Sequence, residues 1–128
     1  MGVSMTMDCA DLDRQATFWV EALGFHEVGR VPDMVRLEGP EGAIGLRLLF
    51  LQQVPEPKTA KNRMHLDWDV EDMAAEADRL VALGATRGEA HRRGRVAWIC
   101  MQDPEGNEFC LEQVMTESAA RTVRTEIE

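Results

Sequence analysis

The sequence predicts an α+β fold in which one βαβββ module occurs twice. Residues 3–9 and 64–70 both alternate apolar with polar side chains, which is the period of a strand buried on one face. A helical pattern that starts at an aspartate and stops at a glycine follows each of them, over residues 11–24 and 72–84. The copies lie about 60 residues apart in the same order. Because neither copy could close a core alone, we expect one curled mixed sheet around a cavity, with both helices outside.

The first module is predicted over about residues 3–51. Its helix begins after the capping residue Asp11 and stops at Gly24. The apolar positions of this helix recur every three to four residues, and they are Leu12, Ala16, Trp19, Val20 and Leu23. Proline and glycine turns then separate three predicted strands, at residues 26–28, 35–37 and 44–51.

The second module is predicted over about residues 63–114, after a proline-containing connector at residues 52–62. Its helix begins at Asp72, and its predicted buried face consists of Met73, Ala77, Leu80 and Val81. Its remaining strands are predicted at residues 86–90, 96–101 and 108–114. The basic residues 91–95 are expected to form a solvated loop. Residues 115–128 are expected to be a polar C-terminal tail outside a domain that spans residues 1–114.

Charge and cysteine content narrow the class of protein. The formal net charge of -9 at pH 7 argues against nucleic acid or an anionic membrane as a partner. The sequence shows neither a basic leader nor an apolar run long enough to span a membrane. Cys9, Cys100 and Cys110 form no CxxC pair, so neither a disulfide framework nor a structural zinc site is predicted. We therefore expect a cytoplasmic protein.

Three motifs carry a family resemblance. Residues 11–25 read DLDRQATFWVEALGF, residues 61–67 read KNRMHLD, and residues 103–109 read DPEGNEF. They resemble the first helix, the opening strand of the second module and the final turn and strand of the vicinal-oxygen-chelate superfamily, which includes glyoxalase-like and bleomycin-resistance proteins. The resemblance covers about residues 3–114. It implies the paired βαβββ fold, often a homodimer, and a cavity that holds a divalent metal in many members.

The resemblance also assigns four metal-ligand positions to this chain. They align with Ser4, Arg47, His65 and Cys110. Counting by the internal repeat moves the second position to Leu46. Serine binds divalent metals weakly, arginine has no lone pair to donate, and Cys110 has no second thiolate assigned beside it, so His65 is the one good ligand retained. We therefore expect no metal site of the family's standard kind. Asp67 and Glu112 leave a rearranged divalent-metal site open.

His65 is the leading candidate for chemistry. It shares the polar face of its predicted strand with Asp67, and the resemblance implies that this face lines the cavity. A neutral imidazole there could act as a base or a hydrogen-bond donor, while the alternative is a cavity-wall histidine without a chemical role. Glu108, Cys110 and Glu112 share one face of the last strand. Glu112 could complete an acid/base pair with His65, and the alternative is that Glu108 and Glu112 are rim residues in water. Cys110 is expected to be a packed side chain.

Three more residues are candidates for ligand binding. Arg47 interrupts an apolar predicted strand, where burying it unpaired would be costly. We expect it to pair with Asp67 or Glu112, and binding of a ligand carboxylate stays open. Phe50 and Trp98 could stack on a flat ligand or pack in the core. The predicted ligand-binding set is therefore Ser4, Arg47, Phe50, His65, Asp67, Trp98, Cys110 and Glu112.

Two functions remain open from the sequence. We favour a small-molecule-binding protein without a cofactor that sequesters a hydrophobic or aromatic metabolite or antibiotic, as resistance members of the superfamily do. The alternative is a lyase, isomerase or dioxygenase in which His65 and Glu112 are catalytic, with or without a divalent metal. The sequence shows no GxGxxG, P-loop, GxSxG or HExxH motif that would decide between a binder and an enzyme. We expect a homodimer that binds neither nucleic acid nor membrane.

Overall fold

The structure is a computed structural model, and it describes residues 4–42 and 45–115. These residues form two compact units, one ending at Thr59 and the other beginning at Ala60. Residues 116–128, which make up nearly all of the predicted tail, lie outside the described residues. The division into a domain over residues 1–114 and a tail therefore stays a prediction.

The first unit has one helix and one four-stranded sheet. Its elements are β1 (Met5–Cys9), α1 (Leu12–Leu23), β2 (His26–Val31), β3 (Met34–Glu38) and β4 (Leu48–Gln53). The strand order in the sheet is β1-β4-β3-β2. β1 is parallel to β4 and the other neighbours are antiparallel, so the sheet is mixed. A parallel first and last strand need a long crossover, which α1 and the β2-β3 hairpin provide.

α1 begins and ends where its sequence predicts. The carboxylate of Asp11 accepts a hydrogen bond from the Arg14 backbone N–H at 3.1 Å. Gly24 ends the helix with a φ of 68°, which is strained for residues with a Cβ. The buried face is rotated from the predicted one, because Val20 and Leu23 are half-buried at the edge of the contact with the sheet. The buried residues are Leu12, Gln15, Ala16, Phe18, Trp19 and Ala22.

β4 begins later than the sequence predicts. Ile44 lies outside the described residues, and residues 45–47 precede the strand. Arg47 therefore stands before β4, where its side chain is 63% exposed and donates to the Glu38 carboxylate at 3.0 Å. The expectation that Arg47 lies inside a buried strand is wrong, whereas its expected pairing with Asp67 or Glu112 of the second unit stays a prediction. Its guanidinium remains in water, so it carries no desolvation cost that would demand a buried partner.

The second unit repeats the first. Its elements are β5 (Leu66–Asp69), α2 (Met73–Ala82), β6 (Thr86–Arg93), β7 (Val96–Gln102) and β8 (Glu108–Val114). The strand order is β5-β8-β7-β6, with β5 parallel to β8 and the other neighbours antiparallel. The same order and the same strand directions occur in both units, so the predicted tandem βαβββ architecture is confirmed. One curled sheet around a shared cavity stays a prediction.

α2 also has its predicted start, but its buried face is narrower. The Asp72 carboxylate accepts a hydrogen bond from the Ala75 backbone N–H at 3.1 Å. Met73, Ala77 and Leu80 are buried as predicted. Val81 is 44% exposed, which corrects the prediction that it belongs to this face. A ten-residue helix packed on a sheet buries a stripe, and Val81 lies beside that stripe.

The basic segment at residues 91–95 belongs mostly to a strand. His91, Arg92 and Arg93 are the last residues of β6, and Arg93 pairs with Val96 at the start of β7. The connection is the two-residue turn Gly94-Arg95, in which Gly94 has a φ of 61°. The expectation of a solvated loop is therefore wrong except for these two residues. A glycine at the first turn position allows the hairpin to close early, so strand pairing extends into the basic segment.

Each helix covers one face of its own sheet. α1 contacts β2, β3 and β4, and α2 contacts β6, β7 and β8. Fully buried residues of the second unit include Leu80 from the helix and Ile99, Met101, Phe109 and Leu111 from the sheet. Alternate strand residues point to the opposite face of the sheet, which the helix leaves uncovered. Among the described residues, no helix is long and apolar enough to cross a membrane.

Candidate functional site

The uncovered face of the second unit brings polar residues from four strands into two adjacent rows. One row crosses the sheet from Asp67 on β5 to Cys110 on β8 and Cys100 on β7. The other runs from Asp69 through Glu112 and Trp98 to His91, as the pairing register requires. The period of two in each strand explains both rows, because residues one position away turn toward α2.

A pocket of about 290 Å³ lies on this face. Its lining residues come from β5, β6, β7 and β8 and from the residue before β5; they are His65, Asp67, Arg93, Val96, Trp98, Cys110 and Glu112. Its volume is near the lower end of the range for small-molecule sites, so it suits a small metabolite. Trp98 provides an aromatic surface beside charged side chains, which is an arrangement that can hold and orient a flat ligand.

His65 and Asp67 form a close polar pair at the edge of the pocket. The Nε2 atom of His65 lies 3.2 Å from the Asp67 carboxylate, and both side chains are partly exposed. A neutral His65 can make this contact as a hydrogen bond by carrying its proton on Nε2. Its Nδ1 atom is then a lone-pair donor, able to accept a proton from a ligand. If His65 is protonated, the same contact becomes an ion pair.

Cys110 lies beside this pair and is a protonated thiol at neutral pH. Burial is the largest cause that raises the pKa of Cys110, and together with the neighbouring Cys100 and Asp67 it brings this pKa to about 12. Desolvation and nearby negative charge both disfavour the thiolate. Cys110 is buried, and its Sγ lies 3.8 Å from the Sγ of Cys100. It is therefore a weak nucleophile unless another group removes its proton.

The residues His65, Asp67 and Cys110 could together hold a metal ion. Their candidate ligand atoms, one nitrogen, one oxygen and one sulfur, all lie within 4.8 Å of one another. Such a mixed set suits zinc, which accepts imidazole, carboxylate and thiolate ligands at about 2.0–2.3 Å. Small side-chain movements would bring three atoms at this spacing onto one ion. The set fits a metal provided that Cys110 loses its proton on binding.

The indole of Trp98 packs against a second ring that does not itself line the pocket. The imidazole of His91 stacks on the Trp98 indole with ring centroids 5.4 Å apart and an interplanar angle of 28°. Trp68, by contrast, stacks on Phe109, which is buried in the core. The two tryptophans of this sheet therefore lie in different places, one in the pocket wall and the other half-buried against a core residue.

Five of the eight predicted site residues line this pocket, and three belong to the first unit. Ser4 is exposed just before β1, and Phe50 is half-buried in β4 opposite Thr6. Arg47 is paired with Glu38, as described above. The functional assignment of these residues stays a prediction.

Sequence reasoning missed Arg93 and Val96 as pocket residues. Arg93 was hidden by the expectation of a loop at residues 91–95, and Val96 was placed in the predicted strand at residues 96–101 without a role. A signal was present, because Val96 is two residues before Trp98 and therefore shares its face of β7. Recognising Gly94-Arg95 as a two-residue hairpin turn would then have placed Arg93 opposite Val96.

Comparison with models of known protein families shows which family the chain belongs to. The model of the family described as "Glyoxalase-like domain" matches residues 4–112. The chain belongs to this family. The resemblance to the vicinal-oxygen-chelate superfamily, suggested by the three sequence motifs, is confirmed. No curated protein sequence matches this glyoxalase-like domain at a significant level.

Solved structures share the fold of this glyoxalase-like domain at low sequence identity. A glyoxalase/bleomycin resistance protein/dioxygenase family enzyme from Burkholderia phytofirmans PsJN is 19% identical with a TM-score of 0.70, over 88% of this chain and 98% of that one. The fosfomycin resistance protein FosX from Mesorhizobium loti is 19% identical with a TM-score of 0.69, over 94% of this chain and 97% of that one. A FosX variant from Listeria monocytogenes is 15% identical with a TM-score of 0.73, over 96% of this chain and 97% of that one. That structure is a complex with Mn(II) and 1S,2S-dihydroxypropylphosphonic acid.

Proposed function

We propose that this glyoxalase-like domain binds a small aromatic molecule in the pocket of its second unit, without a resident metal ion. The observation that supports this most directly is the position of Trp98, an aromatic surface inside a pocket of about 290 Å³. The stacked His91 supports the indole from one side, so the ring has a defined orientation before a ligand arrives. A fixed aromatic wall costs little conformational entropy on binding.

The polar residues of the pocket favour a ligand with an acidic group and a hydrogen-bond donor. Arg93 offers a guanidinium that can bind a carboxylate with two parallel hydrogen bonds. Asp67 and Glu112 are acceptors for a ligand hydroxyl or amide, and His65 can accept or donate a proton. An aromatic acid with a hydroxyl group satisfies all of these groups, so the proposed ligand class is aromatic hydroxy acids.

The test uses 4-hydroxybenzoate as the probe and saturation-transfer NMR as the assay. We expect binding to the parent protein and about two- to tenfold weaker binding to Trp98→Ala, because an aromatic contact of this kind contributes about 0.5–1.5 kcal/mol. Trp68→Phe is the matched control, since it alters the tryptophan of the same sheet that stacks on Phe109. Equal binding by the parent protein and Trp98→Ala would contradict the proposal.

A second candidate is a metal-dependent lyase, isomerase or dioxygenase. The spacing of His65, Asp67 and Cys110 within 4.8 Å favours it, and a structure similar to this chain contains Mn(II). These three residues would hold the ion, which would act as a Lewis acid on a substrate oxygen. Glu112 lines the same pocket and would accept or return a proton there. The raised pKa of Cys110 disfavours this candidate, because metal binding must displace the thiol proton.

Elemental analysis of protein purified without chelator separates the two candidates. The favoured proposal gives well below one equivalent of zinc, nickel, iron or manganese. A stoichiometric metal that is lost in His65→Ala and retained in His26→Ala would place the second candidate ahead. His26 is a suitable control because it is an exposed histidine at the start of β2 in the first unit.

A further inference from the structure

We propose that Cys100 and Cys110 are a redox pair that forms a reversible disulfide in the wall of the pocket. The two residues face each other on the neighbouring strands β7 and β8, and their Sγ atoms are 3.8 Å apart. Both are thiols in the structure. The effect of this disulfide on binding rests on the proposed function, whereas its formation does not.

The backbone geometry of this pair is compatible with a disulfide. On either side of it, the Met115 N–H donates to the Arg95 carbonyl at 2.7 Å, and the Asp103 N–H donates to the Asn107 carbonyl at 2.9 Å. Hydrogen-bonded and non-hydrogen-bonded pairs alternate along an antiparallel ladder, so Cys100 and Cys110 fall on a non-hydrogen-bonded pair. Opposite Cα atoms at such positions are about 4.5 Å apart, within the range that disulfides span.

The reaction needs a two-electron oxidant, for which we name a low-molecular-weight disulfide such as glutathione disulfide. Cys100 is the less buried of the two, so its thiolate attacks the oxidant first, forming a mixed disulfide and releasing one thiol. Cys110 then gives its proton to the neighbouring Asp67 carboxylate and attacks the Cys100 sulfur, and the second thiolate leaves and takes up that proton. Two thiols of the protein become one disulfide, and the oxidant takes up two electrons and two protons.

Oxidation would change the pocket because Cys110 is one of its lining residues. The Cys110 sulfur would be held toward Cys100 and would no longer offer a thiol hydrogen to Asp67 or to a ligand. The group of possible metal ligands would lose its sulfur, leaving His65 and Asp67. In a reducing compartment disulfides are usually transient and redox-sensing, which agrees with a pair placed at a binding site rather than in the core.

The experiment treats the purified full chain with glutathione disulfide and maps the cysteines by mass spectrometry. We expect the thiol count to fall from three to one, with a disulfide that links the Cys100 and Cys110 peptides and is reversed by dithiothreitol. Cys9 is an internal control, because it is buried in the first unit and its Sγ donates to the Gln52 carbonyl at 3.6 Å. Three unchanged thiols, or a disulfide that includes Cys9, would overturn the proposal.

Two variants test the order of the steps and the effect on binding. Cys110→Ser should stop at a mixed disulfide of Cys100 with glutathione, and Cys100→Ser should form no internal disulfide. Loss of one hydrogen-bonding thiol should weaken 4-hydroxybenzoate binding about fivefold in the oxidised protein. If the disulfide forms and neither redox state binds the probe, the redox pair stands and the proposed function fails. If the reduced protein binds the probe but the internal disulfide does not form, the redox pair fails alone.

Discussion

The strand bulge next to Cys100 makes a sharp prediction about Gly88. A Cβ added at Gly88 would lie 2.7 Å from the backbone carbonyl oxygen of Cys100, closer than real Cβ contacts allow. The obstacle is backbone, so β6 and β7 must separate locally to accommodate an alanine. Overpacking of this kind lowers the free energy of unfolding by about 1–3 kcal/mol. The reduced entropy of the unfolded chain offsets about 0.4–1 kcal/mol of that loss.

The repeat supplies a matched control for this substitution. Gly29 lies at the bulge between β2 and β3 in the first unit, and a Cβ built on it meets no atom within 4 Å. Gly29→Ala should therefore be neutral or slightly stabilising. Calorimetry should show Gly88→Ala melting about 4–12 °C below Gly29→Ala, taking about 4 °C per kcal/mol for a chain of this size. Equal melting temperatures would refute the inferred close approach of β6 to β7.

Four further outcomes are expected. Asp103→Ala should lower the free energy of unfolding by about 2–4 kcal/mol in urea titrations, because the buried Asp103 carboxylate accepts hydrogen bonds from the Glu105 and Asn107 backbone N–H groups. A loss below about 1 kcal/mol would argue against this role. Arg47→Ala should cost below about 1 kcal/mol in the same assay, because its pair with Glu38 is exposed, and a larger loss would mean that the pair is buried. The pKa of Cys110 lies above that of an unfolded thiol, so the unfolded chain loses this proton first, and the free energy of unfolding should fall as the pH rises from about 9 toward 12. Cys110→Ala should lack this part of the fall. Parallel pH profiles of the parent protein and the variant would contradict the prediction. Light scattering should give twice the chain mass of 14.4 kDa, and a monomer at micromolar concentrations would exclude the homodimer.

The helices and strands could be predicted because the sequence patterns that mark them are local. Alternation marks β1 and β5, and an aspartate at each N-cap marks the helix starts, which need no knowledge of the rest of the chain. The prediction was wrong where tertiary packing determines which residues are buried. Val20 and Val81 are apolar residues at helical spacing, yet whether they are buried depends on how the helix is rotated on its sheet. Arg47 was misplaced because a strand boundary depends on its pairing partners.

Five of the seven pocket residues were candidates in the sequence, but the sequence could not show that they lie together. Asp67 and Cys110 are 43 residues apart, and they become neighbours through the parallel pairing of β5 with β8. A shift of one residue in this register would have sent Cys110 to the core and brought Phe109 or Leu111 beside Asp67. Cys100 was not assigned any role, although it is two residues after Trp98 in a predicted strand and therefore shares its face. What the sequence could not show is that the pairing of β7 with β8 puts Cys100 opposite Cys110.

The repeat shows how differently the two units use equivalent positions. Thr6 pairs with Phe50 in the first sheet as Asp67 pairs with Cys110 in the second, and Ser4 precedes β1 where His65 precedes β5. The same backbone therefore carries a serine, a threonine and a phenylalanine in one unit and three potential metal or proton ligands in the other. Serine and threonine hydroxyls bind metals weakly and titrate outside the physiological range, so the first unit offers an apolar and hydroxylated surface. Because the fold tolerates both sets at equivalent positions, the architecture does not require His65, Asp67 and Cys110, and this agrees with the proposal that they serve the pocket.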